Sequence, residues 1–353
     1  MVRKWLRRLN GTDVVMFVVG LFLAVMIIIG STATLISGKY SAAAWQDLII
    51  FGLAQGSIYA LIALGYTLVY GILRMINFAH SEVFMAGPFA TYFVAAALAQ
   101  LGLLARSPVL TLLIVAAVSM LISMSIALLL ERIAYRPLRN APRLVPLITA
   151  IGASFVIQYV FRGLFGSGTQ RYPDVVALQG ALNLFGLRVL RTQAVVILVA
   201  LVLMGLLYAF VMFSKTGKAM RAVSEDKDAA ALMGIDVDRI IATTFAVGGA
   251  LAGAAGVLYA LIFGQVSFDM GFIPGVKAFT AAVLGGIGNV PGAMLGGLFL
   301  GVFESVGPSL FLDGLGIPSP NQLKDAIAFT MLVFILIFRP SGILGERLST
   351  KKA

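Results

Sequence analysis

The sequence predicts an all-α fold: a polytopic transmembrane helix bundle of about 8 spans plus a glycine-rich broken or re-entrant hairpin, with both termini cytoplasmic. Three observations predict it. The 353 residues are 60% hydrophobic and only 12% charged, at a mean hydropathy of +1.00, whereas a soluble domain carries about 25% charged residues. The apolar residues gather into runs that match the ~20 residues needed to cross a bilayer. Most of the 26 Lys and Arg sit in short stretches between those runs, and the positive-inside bias assigns such stretches to the cytoplasm.

Residues 1–12 carry Arg3, Lys4, Arg7 and Arg8, a cytoplasmic anchor, and residues 13–36 form the first span. No small-residue cleavage site follows that span, so it reads as retained rather than as a signal peptide. An outside loop with Lys39 and the interfacial Trp45 leads to a second span at 47–73, whose Gly52, Gly56, Gly65 and Gly71 let neighbouring helices approach closely. The third and fourth spans cover 83–104 and 109–130, and Arg132, Arg136, Arg139 and Arg143 mark a cytoplasmic return. A fifth span at 144–166 contains Gln158 and Arg162. Residues 167–192 form a long outside segment, readable as a lid or as a docking surface for an extracytoplasmic partner. Spans at 193–213 and 240–263 flank a charged segment, and a last span at 323–339 ends in a basic tail.

Two stretches interrupt this pattern. The first, RMINFAHSEVFMAGPF, places Arg74, Asn77, His80, Ser81 and Glu82 between apolar runs, with Gly87-Pro88 following. It reads either as a cytoplasmic hairpin or as a broken helix whose polar groups line a pathway. His80 fits a satisfied structural histidine better than a proton relay. The second stretch, residues 271–307, has short apolar pieces on either side of Gly285, Gly286, Gly288, Asn289, Pro291 and Gly292. Two half-helices meeting inside the bundle fit it best. Eight crossings result if this hairpin enters and leaves on the outer side, and a deeper hairpin makes ten.

The charged segment 214–240, SKTGKAMRAVSEDKDAAALMGIDVDRI, cannot sit in hydrocarbon. Ala222, Ala229, Ala230 and Met233 fall near one face of a helix, and Gly234 followed by Ile235 suits a helix C-cap with its hydrophobic contact. It reads as a docking helix with an acidic start, an alanine patch and a glycine stop.

Composition removes several classes of chemistry. There is no cysteine and a single histidine, so disulfides, thiolate chemistry and histidine-based metal centres are excluded. The net charge of +11 follows membrane topology, with no basic stripe of interleaved aromatics for nucleic acid. SKTGKA resembles the end of a phosphate-binding loop, but Met212 replaces the leading glycine and Ala219 the magnesium-binding hydroxyl. An ion-coupled carrier would need intramembrane carboxylates, for which Glu82 and Glu304 are the candidates, both near predicted span ends. An autonomous channel or ion-coupled carrier therefore stands as the alternative of a different class, and energy supplied from outside the chain, delivered at 214–240, fits better.

The strings GSIYALIALGYTLVYGILRMINFAHSEVFMAG, ERIAYRPLR, AVSEDKDAAALMGIDVDRIIATTF, GVKAFTAAVLGGIGNVPGAMLGG and RPSGILG resemble the LivH-type permease, a membrane subunit of the branched-chain amino-acid ABC importers. The resemblance covers residues 47–345 as one transmembrane permease domain, with 1–40 an additional N-terminal span. It implies a LivM-like second permease, two ABC ATPase subunits and an extracytoplasmic substrate-binding protein as partners, in a bacterial inner membrane. ATP and Mg would be used by the ATPases, with no cofactor on this chain. It makes 214–240 a coupling loop in which Arg221, Glu225, Asp226, Ala229, Ala230 and Gly234 meet the ATPase, although Lys227 and Asp228 separate the acidic pair from the alanines. For the substrate pathway the expected residues are Asn77, His80, Glu82, Gly285, Gly286, Gly288 and Asn289. Related permeases that carry urea or short amides supply the nearest alternative cargo.

Overall fold

The computed structural model describes residues 11–345 except 140, 143, 185, 319 and 340. The basic anchor at 1–10, Arg143 and the tail at 346–353 therefore lie outside the described residues. The helices are Gly11–Ser37 (α1), Ala42–Leu73 (α2), His80–Gln100 (α3), Leu103–Arg106 (α4), Pro108–Leu130 (α5), Leu144–Phe165 (α6), Arg191–Phe213 (α7), Lys215–Glu225 (α8), Lys227–Leu232 (α9), Val237–Phe263 (α10), Phe272–Gly285 (α11), Val290–Gly307 (α12) and Lys324–Phe338 (α13). Among the described residues nine helices are long and apolar enough to cross a membrane, and Phe272–Gly285 is a shorter apolar helix beside them. Eight of the nine match the eight predicted spans, and the glycine-rich stretch forms the expected pair of helices, α11 and α12.

α2 is the central post. Its side chains from Ala54 to Val69 are buried almost without interruption, against α12, α10, α11 and α7. Lipid offers apolar side chains as good a solvent as another helix does, so close packing must supply the association. α2 and α12 achieve it by running antiparallel, with Gly301 on Gly56 and Gly297 on Ala60. A Cβ at either α12 glycine would overlap the α2 backbone. α5 adds hydrogen bonds across helices: Ser119 Oγ donates to Gly253 O on α10 and Ser123 Oγ to Val83 O on α3, each at 2.8 Å. The peripheral helices face outward with Phe17, Phe22, Ile148, Phe155 and Leu336 exposed, as lipid contact requires.

The first interrupted stretch begins where the sequence places it, but the helix after it starts earlier than expected. α2 ends at Arg74, whose φ of +56 is left-handed, and the new helix starts at His80. His80, Ser81 and Glu82 thus form the first turn of α3, and Pro88 lies inside it. The ring removes one backbone donor from the helix, and α10 passes that turn closely because Gly256 has no Cβ to strike Pro88 and Phe84 O.

At one end of the bundle lie two small antiparallel ladders. Ala181–Leu184 (β2) and Leu187–Leu190 (β3) form a hairpin, and Gln170–Arg171 (β1) pairs with Gln265–Val266 (β4). Lys39 Nζ meets Asp313 Oδ1 at 2.7 Å there. That hydrogen bond raises the Lys39 pKa.

Candidate functional site

The charged segment folds as two helices, not one. Ser214 Oγ accepts from Gly217 N at 2.8 Å and caps α8, which turns back on α7. Gly217 lies against the backbone of Phe210 and Val211, so the glycine of the phosphate-loop-like string serves helix packing. Asp226 is extended and ends α8. Its Oδ1 caps α9 by accepting from Asp228 N at 2.9 Å and Ala229 N at 3.0 Å. Gly234, at φ +83, closes α9: Ile235 N donates to Ala230 O at 3.1 Å and Gly234 N to Ala231 O at 2.9 Å. This is the Schellman arrangement expected of a Gly-Ile pair.

Arg221, Glu225, Asp226, Ala229 and Gly234 are exposed, whereas Ala230 is buried and anchors α9 to the bundle. The adjacent alanines therefore face opposite ways. At the tip, Leu232 and Met233 are 89% and 83% exposed, an apolar pair standing in solvent beside the glycine stop. The segment is tied inward at three places. Arg221 donates to Met212 O at 3.2 Å, and Arg74 to Ser224 O at 3.3 Å. Arg136 and Arg139 both pair with Asp238, Arg139 also holding Glu131. Burial, then Arg139 and Arg74, lower the Lys227 pKa.

Above Arg74 lies the polar start of α3. Tyr135 OH donates to Asn77 Oδ1 at 2.8 Å. The His80 ring meets Tyr66 edge-on, 5.0 Å between centroids, in space left by Gly65, where any Cβ would collide with the imidazole. Ser154 Oγ donates to Glu82 Oε1 at 3.3 Å. His80 Nε2 and Glu82 Oε2 are buried without a hydrogen-bond partner among the described residues. α11 covers this region, with Gly275 on Ser81 and the Phe279 ring facing Tyr66 and Phe78 at 6.0 and 5.7 Å. The two interrupted stretches thus come together along α11.

The glycines of the second break lie at the far end of α11, against the chain's own C-terminal segment. Ile343 N donates to Leu284 O at 2.8 Å and Leu344 N to Gly285 O at 3.0 Å. Asn289 caps α12 by accepting from Gly292 N at 2.8 Å, and its Nδ2 donates to Leu344 O at 3.0 Å. Gly286 and Gly288 have φ of +103 and +99. The backbone carbonyls at the end of α11 are thereby satisfied within the chain.

A buried charge cluster completes the interior. Lys277 of α11 places Nζ 2.6 Å from Glu304 Oε1 on α12 and 2.5 Å from Asp325 Oδ1 on α13. Gln55 Nε2 lies 3.3 Å from the same Glu304 oxygen and 2.5 Å from Tyr59 OH on α2. The Lys277 and Glu304 side chains are 3% and 1% exposed. Isolated, either charge would cost several kcal/mol here, so the pairing is obligatory. It ties four helices together.

The family model described as "Branched-chain amino acid transport system / permease component" matches residues 48–336. The chain belongs to that family. BraD, a high-affinity branched-chain amino acid transport system permease protein of Pseudomonas aeruginosa, is 43% identical over 84% of this chain and 95% of its own length. LivH of Escherichia coli is 42% identical over 84% of this chain and 94% of its own length, and a LivH of Methanocaldococcus jannaschii is 27% identical over 85% of this chain. The resemblance to the LivH-type permease stands, as does its placement as a multi-pass, non-enzymatic membrane component.

Within this permease, sequence reasoning missed Lys277 with Asp325, Gln55 and Tyr59, the exposed Leu232-Met233 pair, and the contact of 341–345 with the helix break. A lysine in the middle of the apolar run 272–285 was a legible signal, since an ionisable residue in such a run demands a partner. The others depend on which helices meet, which one-dimensional spacing does not state.

Proposed function

We propose that this permease is one membrane-spanning subunit of an ABC importer for branched-chain amino acids, paired with a LivM-like second permease in a bacterial inner membrane. Two ABC ATPase subunits dock at the cytoplasmic end on α8 and α9, and an extracytoplasmic binding protein delivers the amino acid at the opposite end. ATP and Mg act in the ATPases, and this chain binds neither. Both termini and the α8–α9 segment are cytoplasmic in this reading. The observation that carries it is the α9 tip: a six-residue helix capped at both ends, anchored by Ala230 and presenting exposed Leu232 and Met233. Exposed apolar side chains on a rigid, charged-rimmed projection suit a groove on a partner.

Alternating access follows from the ties inward. Closure of the ATPases displaces α9 and α8. Ser214 is the only residue between α7 and α8, so α7 moves with them, and Arg74 carries the displacement to the junction of α2 and α3. Asn77, His80 and Glu82 lie just beyond that junction, beside α11, and are the pathway residues best supported. Gly285, Gly286, Gly288 and Asn289 belong to the pathway only if the 341–345 segment leaves them, which makes them an inner gate in this scheme. The ion-coupled alternative is weakened at Glu304, whose charge Lys277 already neutralises. Competition tests the cargo: labelled leucine taken up by the reconstituted complex should yield to excess valine and not to glutamate or urea. Displacement by urea alone would keep the machine and change its substrate.

A further inference from the structure

At the bundle end opposite α8 and α9, a cavity of about 600 Å³ opens between the start of α2, the β2–β3 hairpin, the start of α7 and the connection from α12 to α13, which contributes Ser309 and Asn321. That volume lies within the roughly 300–1,000 Å³ typical of small-molecule sites. Its lining includes Asp47, Leu48 and Phe51 of α2, Arg188 and Leu190 of β3, and Gln193 of α7. Asp47 and Arg188 carry opposite charge, and neither enters an ion pair among the described residues. They are held apart by different elements, Arg188 through its hairpin register opposite Asn183. Asp47 and Phe51 are four residues apart on one helix and so share a face.

We infer that this cavity is a landing site for a zwitterionic α-amino acid with an apolar side chain. Arg188 takes the carboxylate, Asp47 takes the ammonium, and Leu48, Phe51 and Leu190 receive the aliphatic chain. A single charge of either sign would meet one attractive and one repulsive wall, whereas a zwitterion satisfies both. Gln193, which also lines the cavity, supplies an additional polar contact. One helical turn beyond Phe51 on the same face of α2 is Gln55, already bonded to Glu304, so the site leads toward the interior polar cluster. Because both charges remain in contact with water, binding is weak, as suits a place of passage. The inference rests on the importer reading above and adds a site to it.

Saturation-transfer NMR on the permease–ATPase complex in nanodiscs, without nucleotide or binding protein, tests it with three probes: leucine, isovalerate (no ammonium) and isoamylamine (no carboxylate). Arg188→Gln is expected to weaken leucine and isovalerate binding about tenfold and to spare isoamylamine. Asp47→Asn is expected to weaken leucine and isoamylamine and to spare isovalerate. Unchanged leucine binding in both variants overturns the inference. So does equal weakening of all three probes, the signature of a merely structural role, or no leucine binding to the parent complex. ATP-dependent leucine uptake by the parent complex, measured in parallel, separates the two claims. Uptake with unaltered binding in the variants removes the landing site alone, and absent uptake removes the importer reading.

Discussion

Gly65 and His80 show how one small residue sets the position of a polar one. A Cβ at Gly65 would strike the imidazole, so Gly65→Ala should destabilise the detergent-solubilised protein by about 1–3 kcal/mol, the usual range for overpacking. His80→Ala on that background should recover part of the loss, because the overlap disappears with the ring. Melting curves of the single and double variants check the expectation, and additive losses would contradict it. Lys277 admits a parallel test with charge in place of volume. Lys277→Met leaves Glu304 buried beside no cation, a situation that costs about 3–5 kcal/mol. The double variant Lys277→Met, Glu304→Gln should melt above Lys277→Met alone. A double variant that melts no higher would mean that the pair contributes nothing to holding α11 on α12.

At the scale of elements, α9 depends on its two caps. Gly234 has φ +83 and open space where a Cβ would go, so the penalty of a side chain there is backbone strain, about 1–2 kcal/mol for a left-handed residue. Gly234→Leu should therefore leave the bundle folded, distort the α9 tip and reduce ATPase co-purification, while Gly234→Asn, which tolerates that conformation, should retain it. Equal co-purification of both variants with the parent would refute the docking role. The C-cap was legible in the sequence, since Gly-Ile has local meaning at a helix end. The break at Asp226 was not: Ala222 and Ala229 keep helical spacing, and only the competition of the Asp226 carboxylate for backbone donors ends α8. The apolar spans were legible within a few residues for the same reason, as length and composition fix them. The helix start at His80 was missed because polar residues look like a loop until burial by α10 and α11 is known. The C-terminal segment on Leu284 and Gly285 joins residues far apart in sequence, which no local pattern encodes.

Across the whole molecule, the chain divides its work between two ends and a middle. One end carries α8 and α9, tied through Arg74 to the start of α3; the other carries the hairpin and the Asp47–Arg188 cavity; the Lys277 cluster and the α2–α12 glycine contacts hold the span between them. Such a bundle has no nucleotide site of its own in this account, so transport must require the ATPases. The decisive measurement is leucine accumulation in proteoliposomes containing this permease, the proposed LivM-like permease and the proposed ATPases, with ATP inside and binding protein outside. Accumulation that vanishes when either ATP or the binding protein is omitted is the predicted result. Equilibration of leucine by this chain alone, indifferent to ATP and abolished by Glu82→Gln or Glu304→Gln, would contradict it.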